Sequence, residues 1–433
     1  QWNPHLGDGR GHLLAEIVDR HAIRHDLHLK GAGPTPYSRH ADGRAALRSS
    51  IREFLCSEAM FHLGVPTTRA LSLCLTGDHV LRDMLYDGNA AHEPGAVVCR
   101  MSPSFTRFGH FQMLAARGEK ELLQQFLDHT VNADFPQLAQ VAEGPERVLG
   151  WFEAVAGRTA SMVAHWMRVG FVHGVMNTDN MSVLGETIDY GPYGWLEDYD
   201  PNWTPNTTDA QGRRYRFAHQ PAVAQWNLLQ LAQAIFPLVE EAKGLESILS
   251  GFEQNYVRSW NGMLAQKLGL AAFEETDAEL FEALDMVLQL TETDMTLFYR
   301  SLASLDVSDV NPERDLTDVL TDSLYQPAEL AGELHGAWNG WLHKYAGRLR
   351  QDNRSAAARA DQMNGVNPLY VLRNYLSQLA IDAAEQGDFS RIHKQLEVLR
   401  NPYEEQSGCD EYAAKRPEWA RSRVGCSMLS CSS

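Results

Sequence analysis

The sequence predicts an α+β protein with a mixed α/β first hundred residues and a mainly helical remainder. Strand-like and helix-like periods alternate up to about residue 101, and apolar helical periods dominate from about 108 onward. Between the helices, HGVMNTDNMSVLGETIDYG at 173–191 sets a His, an Asn and an Asp around a turn. A chain of 433 residues can bury a large core and has room for two or three domains.

The elements follow in order. HDLHLK at 25–30 alternates polar and apolar residues, as a half-buried strand does, and GAGPTPYSR at 31–39 is a loop by its Gly and Pro content. Ala45 to Leu63 reads as a helix with Leu47, Ile51, Phe54 and Leu55 on one stripe. Strand-like runs come next at 68–75, 80–85 and 96–101. Strand, lysine, helix, strands is the order of a kinase small lobe. Leu149 to Val169 makes a long apolar helix leading into the hairpin, where Met181 to Leu184, a Gly185-Glu186 turn and a second short strand deliver Asp189. The loop at 201–216 has no strong period. Helices are predicted at 220–240, 245–269, 278–304, 327–351 and 366–400, and the last thirty residues as an extended, partly mobile tail.

A formal charge of −18 argues against a nucleic-acid partner or an anionic membrane surface, since both call for a basic face. No apolar run long enough to span a bilayer and no signal peptide stand out. Six cysteines in a chain this long do not make a disulfide framework. Cys56, Cys74 and Cys99 read as core thiols, while Cys409, Cys426 and Cys431 cluster near the end. The compartment expected is reducing, hence the cytoplasm.

Several residue sets could carry chemistry. LGDGR at 6–10 could cover a phosphate, because Gly7 and Gly9 let backbone N–H groups approach an anion, although alone it fits an ordinary turn better. Lys30 and Glu53 have the arrangement of a phosphate-holding lysine–glutamate pair, and equally that of a surface lysine and a solvated helical glutamate. Arg100 and Arg107 suit phosphate oxygens, but spacing alone favours two solvated arginines. The hairpin is the stronger signal, since buried amides and carboxylates need partners and make a poor core. Asn180 and Asp189 would hold a metal ion and Asp179 could serve as a base. The position two after His173, where small-molecule kinases with this pattern carry the catalytic Asp, is Val175. There is no HExxH or CxxC spacing for zinc and no GxSxG elbow.

Taken together, LGDGR, LKGAGPTPYSRHADGRAALRSSIREFL, RMSPSFTRFGHF, HGVMNTDNMSVLGETIDYGPYGWLEDYDP, NPLYVLRNYL and the terminal SCSS resemble the selenoprotein O (SelO, also YdiU) pseudokinases from residue 6 to the end. The resemblance implies a two-lobed, protein-kinase-like fold with a helical C-terminal extension. Residues 1–101 would form the small lobe, 102–305 the large lobe with its metal-binding hairpin, and 306–433 the extension with a Cys-containing tail. It implies transfer of AMP from ATP to protein hydroxyls, with the nucleotide flipped and its γ-phosphate buried. Carried over, Gly7, Gly9 and Arg10 fall in the glycine-rich loop, Lys30 binds phosphate and pairs with Glu53, and Asp42 and Gly43 contact the nucleotide. Arg100 and Arg107 line the phosphate pocket and Asp179 is the proton acceptor. Asn180 is a ligand of Mg²⁺ or Mn²⁺, and Asp189 is shared by metal and nucleotide.

Two departures from the family pattern follow. The segment that in the family precedes LGDGR, expected to supply the first strand of the small lobe, is absent from this sequence. No Cys occurs between Cys99 and Cys409, so the disulfide that some members form between the tail and the loop after the metal hairpin is not expected. A small-molecule kinase of the aminoglycoside-phosphotransferase type and a non-catalytic nucleotide-binding scaffold are the competing readings. Val175 counts against the first, and the whole set of charged residues against the second.

Overall fold

The computed structural model describes residues 9–430 apart from Arg39, Leu85 and Val310. Gly7 and Cys431, both singled out by the sequence, lie outside the described residues.

The α+β class holds. Strands β1 (Gly11–Val18), β2 (Arg24–Lys30), β3 (Ala45–Ala46), β4 (Arg69–Arg82) and β5 (Ala91–Ser102) form one antiparallel sheet, with β2 and β3 on one side of β5 and β4 on the other. Between β3 and β4 runs α1 (Leu47–His62), whose Leu47, Ile51, Leu55, Cys56 and Ala59 are fully buried. Register is what matters for the site. Lys30 pairs with Val98 and His28 with Arg100, so His28, Lys30 and Arg100 share the covered face. A slip of one residue would turn both cations outward.

The runs at 68–75 and 80–85 are a single strand, continuous through a register shift between Leu75 and His79. Strand β1 was not expected. Leu13, Leu14, Ile17 and Val18 are all exposed along it, so GHLLAEIV shows no alternation of buried and exposed residues.

The helical part comprises α2 (Phe108–Ala116), α3 (Lys120–Asp134), α4 (Pro145–Val169), α5 (Gln220–Val239), α6 (Ala242–Lys267), α7 (Ala278–Leu288) and α8 (Met295–Ser301). It continues with α9 (Gly332–Gln351), α10 (Ala356–Val366), α11 (Asn374–Glu385), α12 (Ser390–Leu399) and the short α13 (Asp410–Ala413). A two-stranded ribbon, β6 (Phe171–Val172) with β7 (Gly194–Trp195), frames the hairpin. The expected helix 278–304 breaks because Asp294 caps α8, accepting from Leu297 N at 3.0 Å. The expected helix 366–400 is two helices. Pro368 keeps Asn367 extended before α11, and Gly387 turns the chain before α12 at φ +83°.

The stretch Phe217–Val239, where no spanning run stood out, reaches a mean hydropathy of 1.2 and is long enough to cross a bilayer by length and composition. Here it is a core helix. Val223, Ala224, Leu228, Leu231 and Ile235 pack into the same cluster as Ile51, Trp151 and Tyr193. That cluster also takes Val371, Leu372, Ile381 and Ile392 from the segment around α11 and α12, which therefore share a core with α1.

Two expectations about cysteines and the tail change. Cys74 is exposed on β4. Through residue 430 the tail is packed rather than loose, with Cys426, Leu429 and Ser430 buried. Leu429 N donates to Pro205 O at 2.9 Å and Leu429 O accepts from Thr207 N at 2.7 Å.

Helix α11 is anchored by a charge cluster. Arg373 Nη1 lies 2.8 Å from Glu197 and 2.7 Å from Asp294, all of them buried. Removing one member of such a cluster strands the others in low dielectric. Arg373→Met is expected to destabilise the protein by about 3–5 kcal/mol in urea unfolding followed by circular dichroism. An unchanged midpoint would show that the cluster anchors nothing.

Candidate active site

The hairpin is woven into its neighbours by backbone hydrogen bonds. Thr187 N donates to Pro66 O at 2.9 Å, Phe108 N to Met181 O at 3.0 Å and Val183 N to Thr106 O at 3.1 Å. The hairpin itself closes at one antiparallel bridge, Met181–Thr187, so the predicted second strand is a single bridged residue. Below it, α5 offers two fully buried amides. Gln220 accepts from His173 N at 3.0 Å and donates to Phe171 O at 2.9 Å, while Asn227 donates to Met176 O at 2.9 Å. His173 Nε2 bonds Ile188 O at 2.9 Å and Nδ1 faces Val175 N at 3.4 Å. Burial lowers the imidazole pKa, so His173 is a neutral brace between the two ends of the hairpin.

This framework presents Asp189 in the left-handed region at φ +57°, a conformation that Asp tolerates better than most residues. Three cations converge on its carboxylate. Lys30 Nζ and Arg100 Nη1 each lie 3.1 Å from Oδ1, and Arg107 Nη1 is 2.7 Å from Oδ2. Glu53, 3% exposed, completes the cluster at 2.5 Å from Lys30 and 3.5 Å from Arg100. Burial would raise the Asp189 pKa, but Arg107, Lys30 and Arg100 outweigh it and hold the carboxyl well below the usual range. Arg100 is further fixed by His28 Nδ1 at 2.7 Å.

The cluster opens into a cavity of about 800 Å³. Gly9, Arg10, Asp42, Gly43, Asp179 and Asn180 line it together with Lys30, Arg107 and Asp189, and Val175 lies on the same wall. Glu53 and Arg100 sit behind this surface, joined to it through Lys30 and Asp189. Gly9 is pinned by Ser38 Oγ, which donates to its carbonyl. Gly43 adopts φ +68°, and a Cβ there would meet Gly33 O at 2.1 Å, so only glycine fits. Asp179 N donates to Asn177 Oδ1 at 3.0 Å and its carbonyl accepts from Arg107 Nη1 at 3.1 Å. Asn180 Nδ2 donates to Val175 O at 2.9 Å, which leaves Oδ1 as the amide's ligand atom.

These are the residues that the family's motifs predict, gathered around one cleft. The sequence profile described as protein adenylyltransferase SelO matches residues 1–400. The chain belongs to the SelO family. It is 56% identical over 432 residues to the protein nucleotidyltransferase YdiU of Azoarcus sp. strain BH72, and 56% over 444 residues to that of Rhodopirellula baltica. To that of Xanthomonas oryzae pv. oryzae it is 57% identical over 433 residues. Each alignment covers all of this chain and 82% of the relative. The protein is an enzyme, a SelO-type protein nucleotidyltransferase, with ATP and protein as the substrates the family implies.

No group of three or more His, Cys, Asp or Glu with metal-holding geometry occurs among the described residues of this SelO member. One carboxylate and one amide oxygen, Asp189 and Asn180, nevertheless suit a hard divalent cation that keeps waters and takes its other ligands from phosphate. They do not suit zinc.

Sequence reasoning missed Arg82, at the cavity rim, and Glu186, behind the hairpin turn. Ser102 Oγ lies 2.8 Å from Ser104 O and 2.6 Å from Glu186 Oε2, yet a hydroxyl carries one proton. A protonated Glu186 resolves the conflict by donating to Ser102, which donates on to Ser104. Burial, only partly offset by Ser102 and Arg158, pushes the Glu186 pKa up to about 7. The folded state therefore binds a proton that the unfolded chain has released between pH 4.5 and 7, and stability contributed by this group falls as pH rises through that window. Glu186→Gln is expected to flatten the decline by about 2–3 kcal/mol between pH 5 and pH 8, read from urea midpoints at both pH values. Parallel declines in wild type and variant would show that Glu186 is ionised throughout.

Proposed function

We propose that this SelO-type enzyme transfers AMP from ATP to Ser, Thr or Tyr hydroxyls of proteins, with the nucleotide held phosphate-first. Lys30, Arg100 and Arg107 take the γ-phosphate end. The observation that carries this reading is their convergence on one partly buried carboxylate, with Val175 where a kinase keeps its base. A triphosphate end brings enough negative charge to compete with Asp189 for all three cations. Cations so deeply placed suit a leaving group better than a phosphoryl group that must be handed out.

In this pose the α-phosphorus lies outward. Asp179 accepts the proton of the incoming hydroxyl, the hydroxyl oxygen bonds to the α-phosphorus, and the bond to the α–β bridging oxygen breaks. Pyrophosphate leaves with its charge on Lys30, Arg100 and Arg107. Asn180 and Asp189 would hold Mg²⁺ or Mn²⁺, which supplies Lewis-acid neutralisation of phosphate oxygens. Gly9 and Arg10 cover the nucleotide, and Asp42 and Gly43 meet it at the rim. The division into a kinase-like small lobe (1–101), a large lobe (102–305) and a helical extension (306–433) belongs to the same proposal. The sheet with α1, followed by helices that cradle the hairpin, supports it.

ATP labelled at the α or the γ position, incubated with enzyme, Mg²⁺ or Mn²⁺ and mixed protein acceptors, tests the direction of transfer. The α label is expected on protein with release of pyrophosphate, and Asp189→Ala should abolish it. Covalent γ label would restore a kinase, and no label at all a scaffold.

Asp179→Asn separates base from binding. The transfer rate is expected to fall roughly 10²- to 10⁴-fold while nucleotide affinity survives. Equal losses in affinity and rate would make Asp179 a structural residue instead.

A further inference from the structure

The rim of the cavity carries an arrangement that the phosphate cluster does not use. Arg82, the last residue of β4, grips Asp42 with both arms. Nη1 lies 2.9 Å from Oδ2 and Nη2 lies 2.8 Å from Oδ1. The same guanidinium donates to Arg44 O at 2.9 Å and to Leu81 O at 2.7 Å, which locks its plane. Asp42 Oδ1 also accepts from Arg44 N at 3.0 Å. The hydrogen bond to Arg82 in particular, helped by that to Arg44, lowers the Asp42 pKa.

Two acceptor sites per carboxylate oxygen set the count. Oδ1 is filled by Arg82 and Arg44, whereas Oδ2 has one described bond and retains one acceptor site. Asp42 is an anion, so it repels phosphate and accepts only from a donor. Its side chain is 43% exposed while Arg100 is 1% exposed, which puts Asp42 at the open end and the cations at the closed end. With phosphates inward, the group reaching Asp42 is the nucleoside, whose donors are the ribose hydroxyls and the exocyclic amine.

We infer that Arg82 is a positioning residue that aims the one remaining acceptor site of Asp42 at a hydrogen-bond donor of the donor nucleoside. This rests on the phosphate-inward reading above. It makes Arg82, 40 residues from its partner, a determinant of which nucleotide is chosen. A partly exposed ion pair contributes little to folding, so loss of Arg82 should be read in recognition rather than in stability. Lysine cannot replace it, because an ammonium lacks the two-armed geometry.

The test is calorimetric binding to the full chain with Mg²⁺, using the β,γ-imido analogue of ATP, its 6-oxo, 2′-deoxy and 3′-deoxy counterparts, and inorganic tripolyphosphate. Wild type is expected to bind one of the three altered nucleosides about tenfold or more weakly than the adenosine analogue. Which one it is identifies the donor. In Asp42→Asn, Arg82→Ala and Arg82→Lys that preference should vanish, with tripolyphosphate affinity unchanged. Preference retained in the Arg82 variants would overturn the inference, as would wild type binding all four nucleotides alike. Lys30→Ala keeps the two readings apart, because it should weaken tripolyphosphate. Should it leave tripolyphosphate and nucleotide untouched, the phosphate-inward pose itself fails.

Discussion

Burying three cations beside two carboxylates is the constraint around which the rest of this molecule is arranged. Lys30, Arg100 and Arg107 come from β2, β5 and the residue that precedes α2, while Glu53 comes from α1 and Asp189 from the hairpin. Each charge alone would be costly to desolvate, so no member can be placed without the others. The antiparallel register puts Lys30 and Arg100 on the covered face, α1 carries Glu53 over that face, and the hairpin brings Asp189 from the other side. Sheet, helix and hairpin are coupled through this one cluster.

The helical part holds the hairpin stiff. Gln220 and Asn227 spend their amide groups on backbone atoms of 171–176, and His173 ties both ends of the hairpin together without carrying charge. Helix α1 is fixed as well. Arg52 Nη2 donates to Tyr193 O at 2.6 Å and Tyr193 OH donates back to Arg52 O at 2.8 Å. The segments around α11 and α12 bury Ile381 and Ile392 in the same core as α1. The tail reaches the same region, since Leu429 pairs with Thr207 and Asn206 Nδ2 donates to Gly174 O at 3.0 Å. A site that depends on charge placement is thus supported by buried side chains that bond to the backbone around it.

Legibility in the sequence followed locality. Asn180 and Asp189 could be read because eight residues of hairpin link them, and α4 because its apolar period is long and ends at Gly170 in the left-handed region. The Lys30–Glu53 pair was ambiguous from spacing, since no local period couples a strand end to the middle of a helix. Only its membership in a longer motif favoured the pair. Strand β1 escaped notice because Leu13, Leu14, Ile17 and Val18 are exposed, and the packed tail because SMLS carries no period at all.

By itself the sequence determined the α+β class, the helix-bearing half, the family and the residue types of the site, because these are written in periods and short motifs. Tertiary structure decided which charges share a counterion. That Arg100 and Arg107 both reach Asp189, 89 and 82 residues away, depends on strand register and on the path of the hairpin. That Arg82 holds Asp42, and that the Glu186 pKa is raised behind the turn, are likewise matters of burial and approach between distant segments. Electrostatics in a folded chain depends on distance and desolvation, and neither quantity exists until the chain has folded.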